Sequence, residues 1–98
     1  MIKPTPHAVI AHVARAHGLD ASDLFAYRPE AEPARDMAVW LVARLFPSYN
    51  HGKIAVHFHR TVSPITAAMA RARARYSEDG AWREQAWVLQ AQLKPPPN

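Results

Sequence analysis

The residues of this chain best suited to chemistry are cations and small hydroxyls gathered in one stretch: Lys53, His59, Arg60, Thr61, Ser63, Thr66 and Arg71. Such a set fits a polyanion. Lysine pairs with phosphate as a point charge, while the planar fork of arginine also matches the edge of guanine. Hydroxyl side chains both donate and accept, so they serve base edges or phosphate oxygens equally. Composition points the same way. Twelve Lys and Arg, nine of them arginine, stand against eight Asp and Glu and leave a net charge of +4. With a pI near 10.0, that balance favours an anionic partner over an acidic substrate, although a solvated Arg-rich surface has the same composition.

Other chemistries find little footing. The eight carboxylates are scattered, with Glu30 and Glu32 in a loop and Glu78 and Asp79 at a helix start, where negative charge suits the dipole. No spacing suggests a Ser-His-Asp set, and three glycines make no phosphate-cradling loop, so no enzyme is expected. His57 and His59 straddle a helix end after His51, without a Cys or carboxylate nearby. Zinc sites usually add such ligands, so neither a metal nor another cofactor is expected. Without cysteine there is no disulfide framework. The longest apolar run, Met37 to Ala43, falls far short of the roughly 20 residues of a membrane span. No membrane partner is expected, and cytoplasmic localisation follows as the expectation.

The elements that must position these residues are all helical. Thr5 followed by Pro6 reads as an N-cap with proline at the first position, opening a helix with Val9, Ile10, Val13 and Ala14 on one face. Gly18 stops it. Asp20 and Asp23 resemble a capping box before Leu24 and Phe25. Tyr27 to Pro33 reads as a loop whose two prolines bias Arg28 and Glu32 away from helical backbone. Pro33 then opens the most apolar helix, carrying Met37, Trp40, Leu41, Arg44 and Leu45, which belongs at the centre. Pro47 ends it.

Asn50 caps a short helix with Ile54, Ala55 and Phe58, and His59 to Val62 form a turn. Ser63 and Pro64 repeat the cap-then-proline signature and open a helix reaching Tyr76 through Ile65, Met69 and Ala72. A last helix runs from about Ala81 to Leu93. Trp40, Trp82 and Trp87 are core candidates, with an exposed Trp82 the alternative sign of a partner surface. No period-two alternation marks a strand. The expected fold is all-α: five or six short helices in one domain over residues 1–94, with a disordered Pro-rich tail at 95–98.

The short Asn50 helix, its turn and the longer Ser63 helix have helix-turn-helix proportions. In that motif the first helix crosses the backbone and the second enters the major groove by its N-terminal end. Lys53 then lies where a phosphate contact is natural, and His59, Arg60, Thr61, Ser63 and Thr66 lie where base edges or phosphates are met. Arg71 and Arg75 share a side, with Arg73 across the apolar stripe, so Arg71 is a further phosphate candidate.

The segment Ala34 to Leu45, A-R-D-M-A-V-W-L-V-A-R-L, resembles the signature helix of the C-terminal DNA-binding domain of the bacterial replication initiator DnaA. The upstream pairs Val13-Ala14, Gly18-Leu19 and Asp23-Leu24 are similar to that domain's opening helices. Lys53 to Phe58 follows its I-G-x-x-F stretch. The resemblance covers roughly His7 to Leu93. It implies a Trp-repressor-like helix-turn-helix fold, and a minor-groove role for Arg35 or, from the same loop, Arg28. Where that family carries Gly-Arg-Asp-His-Thr/Ser-Thr-Val, this chain has His59-Arg-Thr-Val-Ser-Pro-Ile. The scaffold is kept and the base-reading set is replaced.

The function expected from residues and resemblance together is double-stranded DNA binding by a helix-turn-helix. The biological role would be a regulator of replication or transcription that carries no ATPase. Lys53, Arg60, Arg71 and Arg35 would then line one positive face. The alternative is a protein-interaction module on the same scaffold, docking a replication or transcription protein through an apolar patch near Trp82 or Phe46. Target sequence and oligomeric state stay open.

Overall fold

Capping explains where most helices begin. The Thr5 hydroxyl accepts from the Ala8 amide at 3.1 Å, with Pro6 opening helix α1, Pro6–Ala16. Gly18 follows it at φ +71°, a left-handed backbone that glycine adopts without penalty. Asp20 and Asp23 form the reciprocal capping box of helix α2, Ala21–Phe25. The computed structural model describes residues 5–26 and 28–93. Tyr27 of the expected loop and the Pro-rich tail at 95–98 lie outside the described residues.

The expected loop is shorter than Tyr27 to Pro33. A 3-10 turn over Pro29–Ala31 runs directly into helix α3, Glu32–Leu45, and Glu32 has helical backbone at φ −58°, ψ −47°. The pre-proline bias at Glu32 is overridden here, and Pro33 sits in the first turn, where its missing N–H costs no intrahelical bond. Asn50 caps helix α4, His51–His57, by accepting from the Lys53 amide at 2.8 Å.

Helix α5, Val62–Glu78, begins one residue ahead of the Ser63 start. Thr61, not Ser63, is its N-cap, and it makes no side-chain capping bond. Pro64 therefore stands third in the helix, still among the amides that have no partner. Helix α6, Gly80–Leu93, follows after Asp79 alone, whose carboxylate accepts from the Trp82 amide at 3.1 Å. The segment Ser77 to Gly80 thus breaks the chain at one residue rather than four.

Among the described residues there are six α-helices and no strand, so the fold is all-α. Helix α3 lies at the centre, between α1 and α5, with α6 also against it. Ile10, Val13, Leu24, Met37, Leu41, Ile54, Phe58 and Ile65 are fully buried around it. Trp82, 5% exposed, belongs to this core, and its indole N–H donates to the Pro33 carbonyl at 3.3 Å. Trp87, a core candidate by sequence, is instead 52% exposed. Trp82, Ala86 and Leu89 define the buried face of α6, and Trp87 is turned about 100° from Ala86. Phe46 is half-buried and stacks on Tyr49 at 5.0 Å.

Candidate nucleic-acid interface

Helix α4, a four-residue turn at 58–61 and helix α5 make one corner of the molecule. Buried Phe58 anchors the turn, and the Arg60 amide closes it on the Ala55 carbonyl at 3.0 Å. His59 reverses the chain at φ +55°, in the left-handed region. Its ring meets Phe25 edge-on at 4.9 Å, which helps hold a backbone that costs a residue with a Cβ about 1 kcal/mol. Across the corner, His51 Nδ1 and the Thr66 hydroxyl share a hydrogen bond of 3.0 Å, pinning α4 to α5.

The corner gathers five of the residues singled out by sequence. Lys53, His59, Thr61, Ser63 and Thr66 are all exposed. The Lys53 ammonium stands 4.6 Å from the Tyr49 ring centroid, a cation–π contact at the surface. Val56 and Val62, 70% and 48% exposed, add apolar contact area between them.

The arginines behave differently. Arg35, Arg60 and Arg71 do come together, around a cleft of about 370 Å³ that Ser63, Pro64 and Glu32 also line. Each is anchored inside the fold. Arg35 donates through Nε to the Leu24 carbonyl at 3.0 Å, and through Nη2 to those of Ala26 at 2.8 Å and Arg28 at 3.2 Å. Arg60 donates to the carbonyl of Phe25. The Leu24, Phe25 and Ala26 carbonyls lie at the end of α2, where a helix leaves its last carbonyls without intrahelical partners. Arg28 stands at the start of the 3-10 turn, its side chain 60% exposed and 3.5 Å from the Asp23 carboxylate.

Arg71 is committed to Asp36, the one fully buried charged side chain among the described residues. It donates from Nε and Nη2 to the two carboxylate oxygens, each at 3.1 Å, while Arg75 adds a bond from Nε at 3.3 Å. Glu32 joins the network at 3.4 Å from Arg75. Burial pushes the Asp36 carboxyl above its ordinary value, against the opposing pull of the two guanidiniums. The hydrogen bond to Asp36 raises Arg71 in turn. The cluster ties α3 to α5 on the flank opposite the exposed Arg73.

One signal in the sequence marks this corner. Residues 37–77 contain no Asp or Glu and six Lys and Arg, so the corner and all of its long helix but the last residue, Glu78, lie in a stretch of one sign. Arg73 belongs to that stretch and is exposed on α5. Among the described residues no group of three His, Asp or Glu is placed to hold a metal ion, and no helix is long and apolar enough to cross a membrane. No family model, curated protein or solved structure matches this chain.

Proposed function

We propose that this chain binds double-stranded DNA through the α4–turn–α5 corner, used as a helix-turn-helix, and regulates replication or transcription without an ATPase of its own. The observation that carries this reading is the exposed set Lys53, His59, Thr61, Ser63 and Thr66 at one corner, within a stretch free of carboxylates. A duplex carries closely spaced negative charge, and a protein meets it first through phosphates. Lys53 serves that contact at the start of α4. The uncapped N-terminus of α5 offers backbone amides and the positive end of a 17-residue helix dipole to a second phosphate. Thr61, Ser63 and Thr66 face outward where base edges would lie.

The internal commitments of Arg35, Arg60 and Arg71 narrow the contact set to the corner, with Arg28 as a flanking cation. The resemblance to the DnaA C-terminal domain supports the same reading, through the Ala34 to Leu45 helix at the centre of the fold. Because the Asp-His pair of that family is replaced, affinity should rest mainly on phosphates.

Fluorescence anisotropy tests this with three short duplexes at two salt concentrations: one bearing the initiator's box, one a scrambled box, one random. Salt-sensitive binding of similar strength to all three is the expected result. Absence of binding to every duplex at low salt would reject the proposal.

A further inference from the structure

The opposite end of α5 carries a row of rings and guanidiniums that the duplex-binding corner does not use. Arg44 lies over Trp40 of α3 at 5.6 Å, and Trp40 stacks on Tyr76 of α5 at 5.0 Å with an interplanar angle of 27°. Tyr76 meets Trp87 of α6 edge-on at 6.2 Å, and Arg83 sits over both rings at 5.9 and 5.8 Å. Trp87 is half-exposed, yet its indole N–H donates to the Tyr76 hydroxyl at 2.8 Å. Arg83 is held as well, donating to the Tyr76 carbonyl at 2.8 Å. An exposed ring oriented by a hydrogen bond is ready before anything binds, so little rotamer freedom is lost on contact. Val88, 53% exposed, extends the apolar floor beside it.

The charges directly over the rings are positive, while exposed Glu78 lies about 160° around α5 from Tyr76 and the exposed Asp79 carboxylate accepts from the Trp82 amide. Arg44 and Arg83 flank the rings, and exposed Arg73 stands one turn before Tyr76. Exposed Glu84 is the carboxylate on the outer face of α6, one turn before Trp87. Rings alternating with cations suit a partner that is itself a row of flat rings joined by anions.

We infer that this row is a platform for single-stranded nucleic acid: a base stacks on the open face of Trp87, and the adjoining phosphates meet Arg83, Arg73 and Arg44. Stacking is sequence-tolerant, because every base presents a π-face. An acidic peptide would engage the cations and leave the ring faces unused. Tyr76 lies ten residues beyond Thr66, about 15 Å along the helix axis, and the two surfaces share no residue. The inference therefore stands or falls apart from duplex binding.

The test titrates the full chain against labelled oligo(dT) of about 12 nucleotides, a length within the usual site size. Trp87→Ala should weaken binding by about 5- to 150-fold, the worth of one stacked base, while Trp87→Phe retains most of it. Glu84→Gln, which removes the carboxylate without touching a ring, should tighten binding. Lys53→Ala should leave oligo(dT) affinity unchanged. Three results would overturn the inference: no oligo(dT) binding at low salt, unchanged affinity in Trp87→Ala, or equal binding of a poly-glutamate peptide of matched charge. Self-association of the chain that Trp87→Ala abolishes, in sedimentation without nucleic acid, would do the same by assigning the ring to a second copy.

Discussion

Replacing Arg35 by alanine separates a structural arginine from a DNA-contacting one. Its guanidinium makes three bonds to backbone carbonyls, two of them part-buried at Leu24 and Ala26. A hydrogen bond to a charged group contributes about 1.5–3 kcal/mol, and water can replace the outermost bond to Arg28. Two part-buried bonds therefore place the loss near 3 kcal/mol. For a domain of this size each kcal/mol lowers Tm by roughly 4–8 °C, so the variant should melt about 12 °C or more below the parent. Thermal unfolding by circular dichroism measures that shift. The complementary assay is duplex affinity against salt, at a temperature where both proteins are folded. A phosphate contact that is lost lowers the slope of log K against log salt by about 0.9. The slope should not change for Arg35→Ala. An unshifted Tm together with a reduced slope would refute the reasoning and return Arg35 to the DNA.

Lys53→Ala should show the converse pattern: a salt slope reduced by about 0.9, and stability lowered by no more than about 1 kcal/mol through the lost contact with Tyr49. Asp36→Asn removes the carboxylate between Arg71 and Arg75. Breaking a buried pair costs about 3–5 kcal/mol, but both guanidiniums are about a third exposed. Burial also outweighs their pull on this carboxyl, so the neutral isostere should lose no more than about 1 kcal/mol in urea denaturation. At His59 the left-handed backbone favours glycine and penalises branching at Cβ. His59→Gly should stay within about 0.5 kcal/mol of the parent, the lost Phe25 contact offsetting the relieved strain, whereas His59→Val should lose about 2 kcal/mol in the same assay.

Helix starts were legible because their signals are local. Thr5 with Pro6, Asp20 with Asp23 and Asn50 each satisfy amides two or three residues away, and each cap stands where its residue type put it. Ser63 with Pro64 has the same local form as Thr5 with Pro6, but the turn before it already closes through the Arg60 amide, so Thr61 takes the cap. The site was legible only in part. Exposure of Lys53, Thr61, Ser63 and Thr66 follows from helical spacing around the buried Ile54 and Ile65. The roles of Arg35, Arg60 and Arg71 do not, because their partners lie between 7 and 35 residues away and residue type alone cannot show them. The same limit misplaced Trp87, which is exposed, while Trp82 lies in the core as its sequence suggests. Trp82 and Trp87 lie on one amphipathic helix, and which stripe faces inward is decided by packing against α3.

The anchoring of Arg35 and Arg60 on the carbonyls of α2 links two parts of the molecule that share no groove. An anion entering the cleft at the start of α5 competes with those carbonyls for the same guanidiniums. A guanidinium carries five N–H donors, so α2 gives up a bond only where the anion takes a donor that α2 already uses, and the free energy of that exchange is the same viewed from either end. To that extent occupancy of the cleft and fraying of α2 are reciprocal. Whatever steadies α2 weakens the hold on the anion, and an anion held there loosens a five-residue helix on the far side of the bond.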